Sequence, residues 1–168
     1  YGFRATFRGS AGYITGWDDD TVRINDRFFK GGSSFRGFDV AGIGPRQLLV
    51  DDVTGAIVEE GDAVGGNLYA IGTIQLDVPV PVPESFGIGG ALFVDFGTLG
   101  TLDEANRQPV DLAGDNRLIV DDSASLRVAA GVSIFWDSPF GPVQFDFAQP
   151  IQNEDYDDVE EFRFSTRT

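Results

Sequence analysis

Six stretches of this chain alternate apolar and polar residues, and the connections between them run alternately long and short. The clearest stretch is Leu126 to Asp137. There Leu126, Val128, Ala130, Val132, Ile134 and Trp136 point one way, and Arg127, Ala129, Gly131, Ser133, Phe135 and Asp137 point the other. Successive side chains on a strand leave on opposite faces, so one face suits lipid and the other suits water or a packed lumen. The pattern predicts an all-β fold, the wall of an antiparallel transmembrane β-barrel. No apolar run reaches the roughly 18 residues of a membrane helix, so a membrane location has to be met by strands.

The other stretches follow the same rule. The first is about Tyr1 to Trp17, with Phe3, Ala5, Phe7, Ala11 and Tyr13 opposite Arg4, Thr6, Arg8, Ser10 and Gly12. The second, Asn67 to Val80, is closed by Pro79, Pro81 and Pro83, which cannot donate to a ladder. The third is Phe86 to Leu99, the fourth is the one above, the fifth is Val143 to Ile151 and the sixth is Val159 to Thr168. Ser138-Pro139-Phe140-Gly141-Pro142 reads as a tight turn. Residues 18–66 form a long connection with no sustained period, and a loop of that length is usually functional. A second long loop covers 100–123.

Charge follows the same division. The net charge is -15, and 22 of the 27 acidic residues fall in the windows 17–66, 98–124 and 152–161, the presumed loops. The main reading is a solvated acidic surface; bridging of anionic lipid by divalent cations is the functional alternative. The presumed strands keep Asp77, Asp95, Asp137 and Asp146, opposed by Arg4, Arg8, Arg127, Arg163 and Arg167. Charges of both signs on one face suit a lumen wall better than a soluble core.

Several functions are disfavoured. Without histidine or cysteine there is no His-based triad, thiolate or ordinary zinc site, and the acidic loops lack a complete EF-hand pattern. Ser33, Ser34 and Ser138 have no histidine partner, and Gly31-Gly32 lacks the ending of a phosphate loop. The expectation is a protein that is not an enzyme, with no cofactor or metal and no nucleic-acid partner. Six strands are fewer than the about eight of the smallest membrane barrels, and the chain starts at Tyr1 without any Met, so it is read as part of a larger barrel.

Five segments then carry a resemblance. Gly31-Gly32-Ser33-Ser34-Phe35-Arg36-Gly37-Phe38, with Gly42-Ile43-Gly44-Pro45-Arg46, resembles the invaginating surface loop of BamA-type outer-membrane assembly factors. Gly65-Gly66-Asn67 through Pro81 looks like the strand after that loop, and Phe93 to Thr98 like the next strand. Trp136 to Pro142, with Phe145 and Phe147-Ala148-Gln149-Pro150, looks like the penultimate hairpin, and Phe162-Arg163-Phe164 like the last strand. All five occur in order over nearly the whole chain. The TamA translocation factors share several of these motifs; the proline-rich end of the second stretch and the length of the first loop lean towards BamA.

The resemblance implies that residues 1–168 are the C-terminal six strands of a roughly sixteen-stranded barrel in the bacterial outer membrane, with the earlier strands and periplasmic domains outside this chain. It implies a factor that folds and inserts unfolded outer-membrane β-barrel clients, in contact with outer-membrane lipid and, through its periplasmic domains, with assembly-machinery lipoproteins. It also implies roles for residues. Gly31, Gly32, Phe35, Arg36, Gly37 and Phe38 would tuck into the lumen, with Arg36 on Asp95 helped by Gln75 or Asp77. In the family the position of Gln75 is acidic; Asp77, two residues on, lies on the same face. Phe162, Arg163 and Phe164 would belong to the seam strand, where closure is weakest. The family ends in an aromatic that is part of an assembly signal, whereas this sequence stops at Thr168. The competing reading is a passive porin or a structural surface barrel.

Overall fold

Alternating residues become a wall only if neighbouring strands pair in register, and the pairing is antiparallel throughout. The computed structural model describes residues 2–18, 20–112 and 114–166. In chain order the strands are β1 (Arg4–Tyr13), β2 (Gly37–Phe38), β3 (Arg46–Asp51), β4 (Ile57–Ala63), β5 (Leu68–Val78), β6 (Ile88–Gly100), β7 (Val110–Asp111), β8 (Asn116–Asp121), β9 (Arg127–Ser138), β10 (Gly141–Gln152), β11 (Val159–Glu160) and β12 (Phe162–Thr166). Among the described residues three sheets result: a wall ordered β1-β5-β6-β9-β10-β12, a sheet ordered β4-β3-β8-β7, and the pair β11-β2. Among the described residues no helix is long and apolar enough to cross a membrane.

The wall is the sheet the alternation predicts. Its first five strands have 10, 11, 13, 12 and 12 residues, enough to cross a bilayer at a tilt. Register aligns the faces: Leu92 pairs with Val132 and Leu76, and Phe147 pairs with Val132 and Phe162. One face therefore exposes Phe7, Ile74, Leu92, Phe96, Val132, Ile134, Phe147, Phe162 and Phe164 as a continuous apolar band. Tyr13, Trp17, Phe86 and Trp136 are exposed towards the ends of that band, where amphipathic rings favour an interface. Short turns close the wall at one end. Ser138 and Gly141 bracket the β9–β10 turn, with the Ser138 hydroxyl donating to the Gly141 carbonyl at 2.6 Å.

The long connections need correction. Residues 18–66 are not aperiodic: they hold β2 and the β3–β4 hairpin, and β3 also pairs with β8 from the second long loop. The two loops thus fold together into a small sheet beyond the wall. Its apolar residues Leu48 and Val50 pack with Ile119 and with Tyr156 from the connection between β10 and β12. Periodicity does not mark these strands, because β3 is six residues long and β4 carries Glu59, Glu60 and Asp62 on an edge strand. The sixth stretch is also shorter than expected. Wall pairing covers only Phe162–Thr166, and Val159–Glu160 leaves the wall to pair with β2. The outer parts of the first and sixth stretches, Tyr1, Arg167 and Thr168, lie outside the described residues.

The apolar band sets a test. Val132 sits midway along β9 on the outward face, so Val132→Arg in the full-length parent should cost about 2–4 kcal/mol of stability in lipid vesicles. Phe140→Arg, at the fully exposed turn (100% exposed), should change stability by no more than about 0.5 kcal/mol. Denaturant titration in vesicles measures both.

Candidate functional site: a loop pinned inside the wall

The inner face of the wall is concave and charged, and the loop after β1 turns back onto it. Its tip begins at a bridge between Phe28 and Gly66 and another between Lys30 and Ile43. A 3-10 turn, Gly32–Ser34, follows, closed by the Ser34 hydroxyl donating to the Gly31 carbonyl at 2.7 Å. Two positions in this tip require glycine. Gly31 has φ 139, and a Cβ there would lie 1.9 Å from the Asp39 carbonyl oxygen. Gly37 has φ 94, and its Cβ would lie 2.8 Å from that of Ala129 on the wall.

The tip delivers Arg36 to the wall. Its Nε and Nη2 donate to Oδ2 and Oδ1 of Asp95, both at 2.8 Å, and its backbone N–H donates to the same carboxylate at 3.1 Å. Nη1 reaches Gln75 Oε1 and Ser133 Oγ, each at 3.3 Å. The guanidinium lies over the Phe93 ring, 3.5 Å from its centroid. Both ionic side chains are nearly excluded from solvent, at 8% and 3% exposed. A planar cation with five donors suits this niche, because carboxylate, amide, hydroxyl and ring each take a different part of it.

Around this pair the wall is a connected polar network. The Ser133 hydroxyl donates to Asp146 on the neighbouring strand, and Gln144 Nε2 also donates to Asp146, at 2.8 Å. Gln75 Nε2 donates to Asp77 at 2.9 Å, and Asp77 forms an ion pair with Arg4 at 2.6 Å. Asp77 thus stands behind Gln75, whose neutral side chain makes a direct contact with Arg36. Two carboxylates at the guanidinium would leave excess buried charge; one carboxylate and one amide balance it.

Apolar packing completes the tuck. Phe35 and Phe38, both fully buried, meet edge to face at 5.2 Å and pack with Ile43, Ile71, Leu99 and Ala129. Phe162 and Phe164 of β12 face outward, away from this cluster, and pack against Phe145 and Phe147. Arg163 faces inward: a Cβ at Gly32 would lie 3.1 Å from its guanidinium. Sequence reasoning missed Phe93, Ser133, Gln144 and Asp146 as parts of this site. Their signal was register, since Asp146 faces Ser133 across the β9–β10 pair, and register is set by the turn between strands.

A second buried pair also went unforeseen. Arg127, at the start of β9, donates to both oxygens of Asp157, at 3.0 and 3.1 Å, and both side chains are wholly buried. Beside it, burial pushes the Tyr156 phenol up to about 12 from an ordinary 10.0.

An apolar outer band, a charged inner face and a surface loop folded back onto that face define this chain as part of the wall of an outer-membrane β-barrel. The chain belongs to the Omp85 superfamily, whose domain it matches over residues 2–167. It is 33% identical over 92% of its length to the outer membrane protein assembly factor BamA of Neorickettsia risticii, and 28% identical over 85% to that of Neisseria meningitidis serogroup B. It spans 18% of the length of each of these curated relatives. In fold it resembles the crystal structure of BamA from Haemophilus ducreyi lacking POTRA domains 1-3, with TM-score 0.73 and 23% identity, covering 96% of this chain and 30% of that one.

Gly37 offers a local test of the tuck. Gly37→Val places a branched side chain at positive φ against Ala129, and should cost about 2 kcal/mol or more in an unfolding titration of the full-length parent. Gly55→Val, at positive φ with open space around it, should cost about half as much.

Proposed function

We propose that the parent of this chain folds and inserts other β-barrel proteins into the bacterial outer membrane, and that this chain supplies the C-terminal part of its barrel, next to the seam. The observation that carries the reading is the buried Arg36–Asp95 pair, which fixes a long surface loop inside the wall. β12 enters the wall only at Phe162, after Val159 and Glu160 have paired with the tucked loop. An unsatisfied strand edge accepts an incoming strand, and a wall offers one where pairing along a strand is interrupted, as it is ahead of Phe162. The work asked of the protein is strand exchange in lipid, so no nucleophile, metal or nucleotide is needed. Lipid touches the outer band, and the clients are unfolded barrel proteins. Lipoprotein partners would be met by domains outside this chain.

A BamA-like role is preferred to the translocation role of TamA because both curated relatives above carry the assembly-factor name. A passive pore fits poorly, since Phe35 and Phe38 are fully buried against the inner face where a conducting path would run.

The test uses the full-length parent in cells that depend on it. Arg36→Asp and Asp95→Arg should each lower the amount of folded outer-membrane barrels severalfold, and the two together should restore most of it. Normal client assembly in every variant would overturn the proposal and favour a structural or porin-like barrel.

A further inference from the structure

The connection between β10 and β12 is short and acidic, yet Tyr156 and Asp157 within it are buried and bonded. Asp157 accepts both Arg127 bonds and the Glu154 backbone N–H, the last at 2.8 Å. Tyr156 is 4% exposed, with its hydroxyl 3.3 Å from that of Ser123, and sits in the core of the small surface sheet. Asp158 pairs with Arg46 at 2.9 Å. Its backbone also bonds the tucked loop in both directions, receiving from Asp39 N–H and donating to the Gly42 carbonyl, each at 2.9 Å. Val159 and Glu160 then pair with Phe38 and Gly37. Glu160 takes Arg163 at 2.7 Å, and the Arg163 guanidinium lies against Gly32.

The chain therefore enters its last strand from the tucked loop. Wall pairing resumes only where the Ala148 N–H meets the Glu161 carbonyl. Above that point β10 continues to Gln152 while the last strand has left the wall.

We propose that Arg127 and Asp157 are positioning residues that form a second lock. They hold residues 153–161 against the tucked loop, and through it set where the seam strand β12 begins. Arg36–Asp95 fixes the loop to β6; Arg127–Asp157 fixes the entry of β12 to β9. The seam strand then shifts only when the second lock opens, even with the first intact. The structural part stands alone, while its consequence for client assembly rests on the insertase reading above.

Hydrogen exchange on the full-length parent in lipid, with client assembly followed in cells, tests this. Asp157→Asn and Arg127→Gln should each raise amide exchange in residues 153–166 on the order of a hundredfold, the scale of an opened buried ion pair. Residues 88–100 should stay protected. The exchanged pair, Arg127→Asp with Asp157→Arg, should recover most of the lost protection, and Tyr156→Phe, which leaves the lock in place, should keep it. Unchanged exchange in 153–166 in the single variants, or an equal rise throughout the wall, overturns the proposal. If exchange behaves as expected while clients assemble normally, the lock stands and its consequence for client assembly is overturned; the insertase reading is decided separately by the Arg36 and Asp95 variants.

Discussion

A guanidinium held by two oxygens of one carboxylate, out of reach of water, is the contact on which the rest of this structure depends. Arg36 and Asp95 lie on elements far apart in sequence, a loop tip and the middle of β6. Closing a loop of that length costs entropy, and the ion pair alone does not offset it. The Phe35–Phe38 cluster contributes the apolar burial, and the ion pair selects the one register in which that cluster sits on Ala129 and Leu99. Burial also makes the pair unforgiving: an unpaired charge in this niche destabilises strongly, while water cannot enter to replace the lost partner.

From that anchor the surface elements follow in sequence of dependence. The tucked tip offers β2 as an edge, and β11 pairs with it. The hairpin that leaves the tip, β3–β4, takes β8 from the next loop. Tyr156 joins this sheet to the segment leading into β12. Four segments that would be separate mobile loops are thereby one body. Several of its acidic residues pair with arginines, among them Arg46, Arg107, Arg117, Arg127 and Arg163. The membrane wall is repetitive in its demands; this body is what makes the entry into β12 differ from that of the other wall strands.

The wall was legible in the sequence because two-residue periodicity over ten or more residues has few physical readings. Leu126 to Asp137 became β9 with a shift of one residue at each end. The tuck was legible only through the likeness of the Phe35-Arg36-Gly37-Phe38 segment to a known loop. By composition the stretch Gly31–Ser34 ahead of it reads as an ordinary Gly- and Ser-rich connection, with Arg36 a solvated loop residue. The surface sheet and the second lock were not legible. Strands of two to seven residues carry too little periodicity to stand out, and Arg127 looks like any other inward-facing strand residue until Asp157 is placed beside it. Asp157 itself lies in an acidic run, where the ordinary expectation is solvation.

A double-mutant cycle on Arg36 and Asp95 measures the central contact itself. Arg36→Met, Asp95→Leu and the combination would be unfolded by denaturant in lipid, in the full-length parent. Each single change should cost about 3–5 kcal/mol, and the double should cost less than their sum by about 2–3 kcal/mol. Additive losses, with no coupling between the two positions, would contradict the buried pair and with it the account of how the loop is held.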